Sequence, residues 1–305
     1  MRWVPTVLLT ALLALATPAW AGLPTHQPYR LDAQGRLVTD VHLDGQGPFS
    51  FLIDTASSRT VIFEHVRARL GLARSQPGQF LVYGINDVAD AIPVKPAELR
   101  VAGETIGGLT LAALSDGRSD GPDGVLGVDV LARYFVVLDR ENMLLKLLPP
   151  GEVSARGFRG WAQAELLQRP FKKFAIEFWY LRTRFNGEWL TALFDMGAGF
   201  TMMNWQAAQR LGVRKVEFAR YGPPPELLQD VLGKKAPAVQ FDDISIAIAG
   251  KEWRKQLAII ADAPVFSYFD LEEAPAAILG PGLLRDTSLG IDFAGKRLYV
   301  GPTLD

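Results

Sequence analysis

Hydrophobic and polar residues alternate in short runs along most of this chain, a pattern typical of β-strands rather than of long helices. Residues 37–43 form one such run, turn residues follow at 44–47, and residues 49–53 return as an apolar strand that ends at Asp54. Apolar residues at helical spacing predict a helix over 60–70. Further strands are predicted at residues 80–83, 88–94, 97–101, 109–114, 136–139 and 144–148, with a short helix at 129–134.

The same order of elements restarts after a proline-glycine break at 149–151. Strands are predicted at 176–185 and 188–194, joined by an Asn-Gly turn, and the second strand ends at Asp195. A helix is predicted at 204–211, and later strands at 238–241, 244–248, 257–260, 290–293 and 297–300. The chain therefore contains an internal repeat.

A second set of matches supports this repeat. Aligning Leu126-Gly127 with Leu279-Gly280 also places Asp139 on Asp292, and each of these acids closes a strand before a hairpin turn. The sequence thus predicts a mainly β protein of two similar, β-barrel-like lobes, each with a short helix and with a cleft between them. The predicted boundaries are a leader over 1–21, an N-terminal lobe over 22–150, a connector over 151–170 and a C-terminal lobe over 171–305.

Each lobe carries an apolar strand that delivers an aspartate into a turn of small residues. The two motifs are Phe51-Leu52-Ile53-Asp54-Thr55-Ala56-Ser57-Ser58 and Ala192-Leu193-Phe194-Asp195-Met196-Gly197-Ala198-Gly199. Small residues after the acid let two such loops approach closely. Two carboxylates within hydrogen-bonding distance share one proton, because ionising both is costly. The ionised acid then activates a water and the protonated acid donates to a carbonyl oxygen, which is general acid–base catalysis of amide hydrolysis.

These motifs, together with Val125-Leu126-Gly127 and Ile278-Leu279-Gly280, resemble those of the pepsin/retropepsin superfamily of aspartic proteases. The resemblance covers nearly all of the chain after the leader and is strongest to the bacterial branch with two retropepsin-type lobes in one polypeptide. It implies an acid-protease-like fold in which Asp54 and Asp195 are catalytic. The residues implied to support the two loops are Thr55, Ala56, Ser57, Met196, Gly197, Ala198, Leu126, Gly127, Leu279 and Gly280.

The resemblance also implies a polypeptide substrate in extended conformation, held in the cleft under a flap hairpin. Tyr83-Gly84 stands at a suitable place for the first-lobe flap, and a plain hairpin turn explains that pattern equally well. Tyr221-Gly222 and Val231-Leu232-Gly233 are the alternatives for a second-lobe counterpart. No metal or organic cofactor is implied. Since one chain supplies both acids, we expect a monomer.

Two positions depart from the superfamily's Asp-Thr-Gly. Ala56 replaces the first-lobe glycine, so its methyl group is expected to crowd the loop or tilt Asp54. Met196 replaces the second-lobe threonine, whose hydroxyl would cross-brace the loops, so Thr55 is expected to need another partner. The Ser57 hydroxyl is expected to bond Asp54 and favour its ionised form. Our hypothesis is therefore that Asp54 is the ionised base and Asp195 the protonated acid.

Composition excludes several other kinds of chemistry. With 32 basic and 33 acidic residues, the net charge of −1 predicts neither nucleic acid nor an anionic membrane surface as a partner. The chain has no Cys, which excludes thiol catalysis and Cys-ligated zinc. Its histidines, His26, His42 and His65, are interpreted as ordinary surface or core residues. A loop with Asp116, Asp120 and Asp123 lacks the spacing of a calcium loop and is interpreted as solvated.

The first residues have the features of a secretory signal. Arg2 is followed by a short apolar segment and by Ala19-Trp20-Ala21, an A-x-A cleavage site, so Gly22 would begin the mature chain. An uncleaved anchor is the alternative, although the apolar segment is short for spanning a bilayer. No later segment is long and apolar enough to span a membrane. We therefore expect a periplasmic or secreted protein.

Three functions are compatible with these patterns. The first is an exported aspartic endopeptidase that uses a water between two aspartates. The second is a catalytically impaired relative that binds a peptide or protein in the same cleft, a possibility raised by Ala56 and Met196. The third is an unrelated β-sandwich that binds carbohydrate or an envelope component, in which Asp54 and Asp195 would lie far apart.

Overall fold

The structure is a computed structural model, and it describes residues 26–73, 80–86, 88–115, 121–150, 157–171, 177–214, 226–229, 235–284 and 286–303. The elements of the first half are the strands β1 (His26–Leu31), β2 (Leu37–Leu43), β3 (Gln46–Ile53), β4 (Val61–Phe63), β5 (Phe80–Tyr83), β6 (Val88–Val94), β7 (Glu98–Val101), β8 (Glu104–Gly107), β9 (Leu111–Leu114), β10 (Gly124–Leu126), β11 (Phe135–Asp139) and β12 (Leu144–Leu148), and the helices α1 (Glu64–Arg69) and α2 (Val128–Leu131).

The second half contains a similar set of strands and short helices. Its elements are the strands β13 (Ala162–Glu165), β14 (Leu167–Pro170), β15 (Glu177–Phe185), β16 (Glu188–Phe194), β17 (Thr201–Met203), β18 (Glu226–Gln229), β19 (Lys235–Ile248), β20 (Lys251–Ile260), β21 (Ala276–Leu279), β22 (Thr287–Asp292) and β23 (Arg297–Thr303), the helices α3 (Trp205–Arg210) and α4 (Val265–Tyr268), and a 3₁₀ turn, Pro281–Leu284. The predicted mainly β, bilobal fold is confirmed.

Each lobe builds its aspartate loop on the same strand arrangement. In the first lobe β3 runs parallel to β10, β10 is antiparallel to β4, and β4 is parallel to β9. In the second lobe β16, β21, β17 and β20 repeat these pairings in the same order and directions. The repeat inferred from the sequence is therefore a repeat of strand topology.

A sheet and an apolar core join the two lobes. β11 of the first half pairs antiparallel with β22 of the second, and their closing acids, Asp139 and Asp292, occupy equivalent ends. One cluster of buried apolar residues includes Phe51 and Ile53 from the strand before Asp54 and Phe194 from the strand before Asp195. This shared core fixes the position of one loop relative to the other.

The predicted helix over 60–70 is wrong in its first turn. Val61–Phe63 is a strand, β4, and the helix begins at Glu64. All three β4 residues are buried, because the strand pairs with β10 on one edge and β9 on the other. Three consecutive buried residues satisfy a helical apolar pattern as well as a central strand does, so spacing alone did not separate the two.

Three further differences concern strand and helix bounds. The two strands predicted at 238–241 and 244–248 are one long strand, β19, whose pairing with β20 shifts register after Phe241. The short helix predicted at 129–134 is α2, which ends at Leu131. The predicted connector over 151–170 contains β13 and β14, which pair with β23 and β15. The lobe boundaries themselves stay predictions.

No helix in the described ranges is long and apolar enough to cross a membrane. The predicted leader over 1–21 lies outside the described residues.

Candidate active site

Asp54 and Asp195 each follow the last residue of a buried strand, and each is held by a carbonyl group of the neighbouring parallel strand. The Asp54 N–H donates to the Leu126 carbonyl oxygen at 3.0 Å, and the Asp195 N–H donates to that of Leu279 at 3.1 Å. The apolar-apolar-Gly segments therefore do lie beside the aspartate loops, as the resemblance implied. Their last apolar residues are the direct hydrogen-bond partners of the two acids.

The glycines that end these segments pass very close to the following part of each loop. A Cβ atom at Gly127 would lie 2.6 Å from the backbone carbon of Arg59, and one at Gly280 would lie 2.4 Å from the Phe200 oxygen. Both distances are too short for any side chain. The two glycines are therefore required by close backbone approach, which explains why each segment ends in this residue.

The two carboxylates meet between the lobes. Asp54 and Asp195 lie within hydrogen-bonding reach of each other, and the Asp54 side chain rests on the opposite loop, where a Cβ at Gly197 would lie 2.4 Å from Asp54 Cγ. A β-sandwich with two distant aspartates, the third function considered from the sequence, is excluded by this contact.

Backbone N–H groups of each loop bind the carboxylate of that loop. Asp54 accepts from Ala56 N at 2.7 Å and from the Ser57 N–H. Asp195 Oδ1 accepts from the N–H groups of Gly197 and Ala198, both at 2.9 Å. These charge-assisted bonds orient both acids and partly offset the cost of burying them.

The two acids differ in how strongly they hold a proton. Burial raises the pKa of Asp54, while the N–H groups of Ala56 and Ser57, the hydrogen bond from Asp195 and the positive charge of Arg36 all oppose that rise. Burial and then the negative charge of Asp54 raise the pKa of Asp195 well above its ordinary value. The direction agrees with the hypothesis that Asp195 carries the shared proton and Asp54 is ionised.

Thr55 links the two loops by hydrogen bonds to the backbone of the opposite loop. Its fully buried hydroxyl donates to the Phe194 carbonyl oxygen at 2.6 Å and accepts from Met196 N at 3.0 Å. We expected Thr55 to need a new partner because Met196 has no hydroxyl. The partner is the backbone of the opposite loop, which is present whatever side chain occupies position 196.

Met196 points away from the carboxylates, into apolar surroundings. The residue is 1% exposed and lines a small, mostly apolar cavity of about 20 Å³ with Tyr29, Leu37, Leu138 and Leu289, and with the polar residues Arg140 and Thr287. The second loop thus replaces the hydroxyl that the superfamily carries here with an apolar anchor in the core shared by the lobes.

The Ser57 hydroxyl does not bond Asp54, and that expectation is wrong. It donates to the Arg59 carbonyl oxygen at 2.8 Å, while the Ser57 carbonyl oxygen accepts from Val128 N at 2.8 Å. Because the loop turns at this residue, the N–H faces Asp54 and the side chain faces the next turn. Ser57 therefore still supports the ionised form of Asp54, but through its backbone.

The methyl group of Ala56 does not displace the first loop. The Ala56 N–H keeps its bond to Asp54 Oδ1, and the side chain packs against the apolar cluster of the second lobe that contains Phe171 and Phe178. The crowding expected from the sequence is absent because the methyl group faces this apolar wall of the cleft.

Two supporting contacts were not anticipated. The Thr60 hydroxyl donates to Asp129 Oδ1 at 2.7 Å and accepts from Gly127 N at 3.2 Å, which links the first loop to α2. Burial raises the pKa of Asp129 despite these bonds. Arg36, on the turn between β1 and β2, lines the cavity that holds both aspartates. No local pattern reveals either contact, because each depends on distant segments folding together.

Comparison with known proteins identifies the motif in the first lobe. Residues 39–130, which include the Asp54 loop and Leu126-Gly127, match the family model described as aspartyl protease. This confirms the predicted resemblance to retropepsin-like aspartic proteases.

A solved structure, a retropepsin-like aspartic protease from Rickettsia conorii, is similar to part of the chain. The identity is 16%, the match covers 40% of this chain and 88% of that one, and the TM-score is 0.30. No curated protein matches the chain. The family match supports an aspartic protease in general terms, and the assignment of individual residues depends on the geometry described above.

Two neighbouring cavities lie at the aspartic-protease motif and together form the cleft region. We call Asp54 and Asp195 the dyad, and the cavity of about 140 Å³ that both residues line the dyad cavity. The aromatic cavity, about 250 Å³, lies beside it. Ala56, Tyr83 and Phe269 line both, so the two cavities are adjacent. Residues that line only the aromatic cavity include Ser58, Arg59, Phe80, Leu81, Phe171 and Phe178.

The flap candidate Tyr83-Gly84 lies at the tip of the β5–β6 hairpin and lines the dyad cavity. The Tyr83 ring makes edge contacts with Phe171 and Tyr268 of the second half, at centroid distances of 5.0 and 5.2 Å. The Ile85 carbonyl oxygen accepts from Val265 N at 3.0 Å. This hairpin therefore bridges the cleft. The candidates Tyr221-Gly222 and Val231-Leu232-Gly233 lie outside the described residues.

Within the described ranges, no group of three or more His, Asp and Glu side chains is arranged to hold a metal ion. Asp123, one acid of the loop interpreted as solvated, accepts from Ser50 N at 2.7 Å and bonds His65 at 2.8 Å. Asp116 and Asp120 lie outside the described residues.

Proposed function

We propose that this protein is an exported aspartic endopeptidase that hydrolyses peptide bonds with a water activated between Asp54 and Asp195. The observation that carries the proposal is the contact of these two carboxylates between the lobes, with each acid held by backbone N–H groups. Aspartic proteases are themselves the type case of such a carboxylate pair, so the chemistry follows that precedent.

In the proposed reaction the ionised Asp54 accepts a proton from the attacking water as the water oxygen bonds to the amide carbon. Asp195 donates its proton to the carbonyl oxygen in the same step. Collapse of the tetrahedral intermediate breaks the C–N bond, and the proton held by Asp54 passes to the leaving amine. Asp195 recovers its proton from the gem-diol hydroxyl, so the dyad returns to one shared proton without a covalent intermediate.

The cleft supports an extended polypeptide as the substrate. A chain that runs past the dyad would place one side chain in the aromatic cavity, where Phe80, Phe171, Phe178 and Phe269 favour a large apolar group. Burying such a side chain contributes roughly 1.5–3 kcal/mol to binding. Because Tyr83 and Ile85 contact the second half, we propose that the β5–β6 hairpin lifts to admit the chain and then closes over it.

The alternative is a catalytically impaired protein that binds peptides in the same cleft. The departures at Ala56 and Met196 motivated it. The retained bonds of Thr55 to the opposite loop and of Ala56 to Asp54 favour a functional dyad instead. Only activity separates these two functions, because both predict the same cleft.

Proteolysis by the purified mature protein tests the proposal. We expect cleavage of unfolded polypeptides at acidic to neutral pH, inhibition by a pepstatin-like inhibitor, and loss of cleavage in Asp54→Ala. The matched control is Asp40→Ala, since Asp40 is an exposed acid on β2 that forms an ion pair with Arg30, and it should cleave like the wild type. Cleavage that resists the inhibitor and persists in Asp54→Ala would remove the peptidase assignment.

Export, monomeric state and independence of a cofactor are further parts of the proposal. We expect the protein to begin at Gly22 when isolated from the periplasm or culture medium, and to run as a monomer. Since two carboxylates supply both proton donor and acceptor, a metal chelator should leave the rate unchanged. An intact Met1 in the exported fraction, or a chelator-sensitive rate, would contradict the corresponding part.

A further inference from the structure

Arg36 is a cation in the dyad cavity that takes part in none of the proton transfers of the proposed mechanism. It lies on the turn between β1 and β2, and it lines the cavity together with Gln34 and the second-lobe loop residues Gly199 and Phe200. A Cβ at Gly199 would lie 3.7 Å from Arg36 Cγ. The first-lobe turn thus packs against the second-lobe loop and brings a positive charge to the wall of the cleft.

The side chain of Arg36 is held in place. Asp32 accepts from Arg36 Nε at 2.7 Å and from Arg36 N at 2.9 Å, and its own N–H donates to the Arg36 carbonyl oxygen at 3.0 Å. The Arg36 side chain is only 13% exposed. Asp32 is also occupied by the Gln34 N–H at 2.9 Å. Asp32 therefore serves to orient the guanidinium group along its Nε edge.

The other edge of the guanidinium group retains donors. Arg36 Nη2 makes only a long contact of 3.4 Å with Gln34 Oε1, and no described residue accepts from Nη1. A guanidinium group bound along one edge presents its two Nη groups as a fork that matches a carboxylate. A rigid, partly buried arginine with this edge unused is well suited to bind an anion in the cavity.

The geometry points to Arg36 as a specificity-determining residue that binds a carboxylate of the polypeptide substrate close to the scissile bond. This inference rests on the proposed function, since it concerns the substrate of the same cleft. Arg36 does not line the aromatic cavity, and Phe80 and Phe178 do not line the dyad cavity. The two subsites therefore recognise different substrate residues, one acidic and one large and apolar.

Because the dyad is negatively charged, an acidic substrate residue can bind beside it only with a cation such as Arg36 close by. An acidic substrate residue beside Asp54 would be repelled by the ionised acid unless a cation lies next to it. Arg36 already acts on Asp54 electrostatically, since its charge opposes the rise of the Asp54 pKa. Removing the Arg36 charge is therefore expected to raise the pKa of Asp54 with every substrate. It is also expected to weaken the binding of acidic substrates in particular.

Peptide pairs that differ only by Asp or Asn at one position separate these two effects. The ratio of kcat/KM for the Asp peptide to that for the Asn peptide cancels any change in the dyad. Scanning positions on both sides of the bond, we expect the wild type to prefer Asp at one position by roughly tenfold, the strength of one charge-assisted hydrogen bond. Arg36→Gln should abolish this preference and Arg36→Lys should retain part of it.

Arg30→Gln is the matched control. Arg30 lies on the neighbouring strand β1, forms an exposed ion pair with Asp40 at 2.8 Å and lines none of the cavities described above. It removes the same charge and should leave the Asp-to-Asn ratio unchanged. A wild type without preference for Asp at any position, or a preference that survives in Arg36→Gln, would overturn the inference.

Binding to an inactive variant separates this inference from the proposed function. The same peptide pairs are titrated against Asp195→Asn and against Asp195→Asn combined with Arg36→Gln, using fluorescence anisotropy. If the wild type cleaves nothing but the inactive variant prefers Asp peptides through Arg36, the peptidase proposal fails and the subsite stands. If cleavage occurs and the Asp preference is absent from both rate and binding, the subsite fails alone.

Discussion

The Asp54 and Asp195 loops share one backbone arrangement and differ in the side chains that brace it. In both loops the aspartate N–H binds a carbonyl group of the parallel strand, and the carboxylate accepts from the next backbone N–H groups. In the first loop, the hydroxyl of Thr55 also forms hydrogen bonds to the backbone of the second loop. The second has Met196, buried in the shared core.

This difference shows that one hydroxyl is sufficient to join the loops. Thr55 contacts two backbone groups of the opposite loop, so the link depends on one side chain and on no particular residue at 196. A similar asymmetry occurs one residue later. The side chain of Ala56 is tolerated because it faces an apolar wall, whereas Gly197 touches the Asp54 carboxylate. Equivalent positions in the repeat thus carry different constraints.

The largest expected effect comes from the aspartates themselves. Asp54→Asn and Asp195→Asn should each lower kcat/KM by roughly 1,000-fold or more, because both the base and the acid act on the reacting atoms. Steady-state kinetics on one peptide measures this, with circular dichroism to confirm folding. If either variant kept most of its activity, the two loops would not act as a pair.

Exchanging the small residues between loops tests the second asymmetry. Gly197→Ala should lower kcat/KM by about 100-fold and destabilise the protein by about 2 kcal/mol, because the new methyl group would meet Asp54 Cγ at 2.4 Å. Ala56→Gly is the mirror-image control and should keep most of the activity. Equal effects of the two changes would mean that the loops are equivalent at this position.

Removing the hydroxyl of Thr55 tests the link between the loops. Thr55→Val keeps the shape but leaves the Phe194 carbonyl group and the Met196 N–H without this partner, so we expect a loss of about 2 kcal/mol in the free energy of unfolding. Thr55→Ser is the control and should lose less, since it retains the hydroxyl. Denaturant unfolding gives both values. A Val variant as stable as the Ser variant would show that the link contributes little.

The smallest effect concerns Met196. Met196→Thr restores a hydroxyl at the position where the superfamily carries one, yet it removes apolar contacts with residues such as Tyr29 and Leu289. We expect a net loss of about 1 kcal/mol in the free energy of unfolding, and a smaller loss in Met196→Leu. A threonine variant more stable than the wild type would show that a second cross-brace outweighs the packing.

The sequence predicted the repeat, the two aspartates and their glycine-ended supports because these features are local. A buried strand, a small-residue turn and a close-packed glycine each leave a short pattern. The β4 strand was misassigned because its three residues are all buried and carry no alternation. The hydrogen-bond partner of the Ser57 hydroxyl was predicted wrongly, because the direction of a side chain depends on how the loop turns.

The remaining features depend on contacts between distant segments. The link from Thr55 to the backbone of residues 194 and 196 exists only because the lobes share a core. The place of Arg36 in the cleft depends on the first-lobe turn reaching the second-lobe loop at Gly199. No periodic pattern around Thr55 or Arg36 indicates which distant segment each will contact, so neither contact could be predicted from the sequence.

The pH dependence of kcat/KM for peptide hydrolysis tests most directly the claim that the two acids share one proton. We predict a bell-shaped profile, because protonation of Asp54 stops the reaction at low pH and loss of the Asp195 proton stops it at high pH. Since the pKa of Asp195 is raised well above its ordinary value, the basic limb should lie well above the usual carboxyl range. Arg36→Gln should move the acidic limb to higher pH, because it removes a charge that lowers the Asp54 pKa. A profile with a single limb, or one whose acidic limb stays in place in Arg36→Gln, would contradict this account.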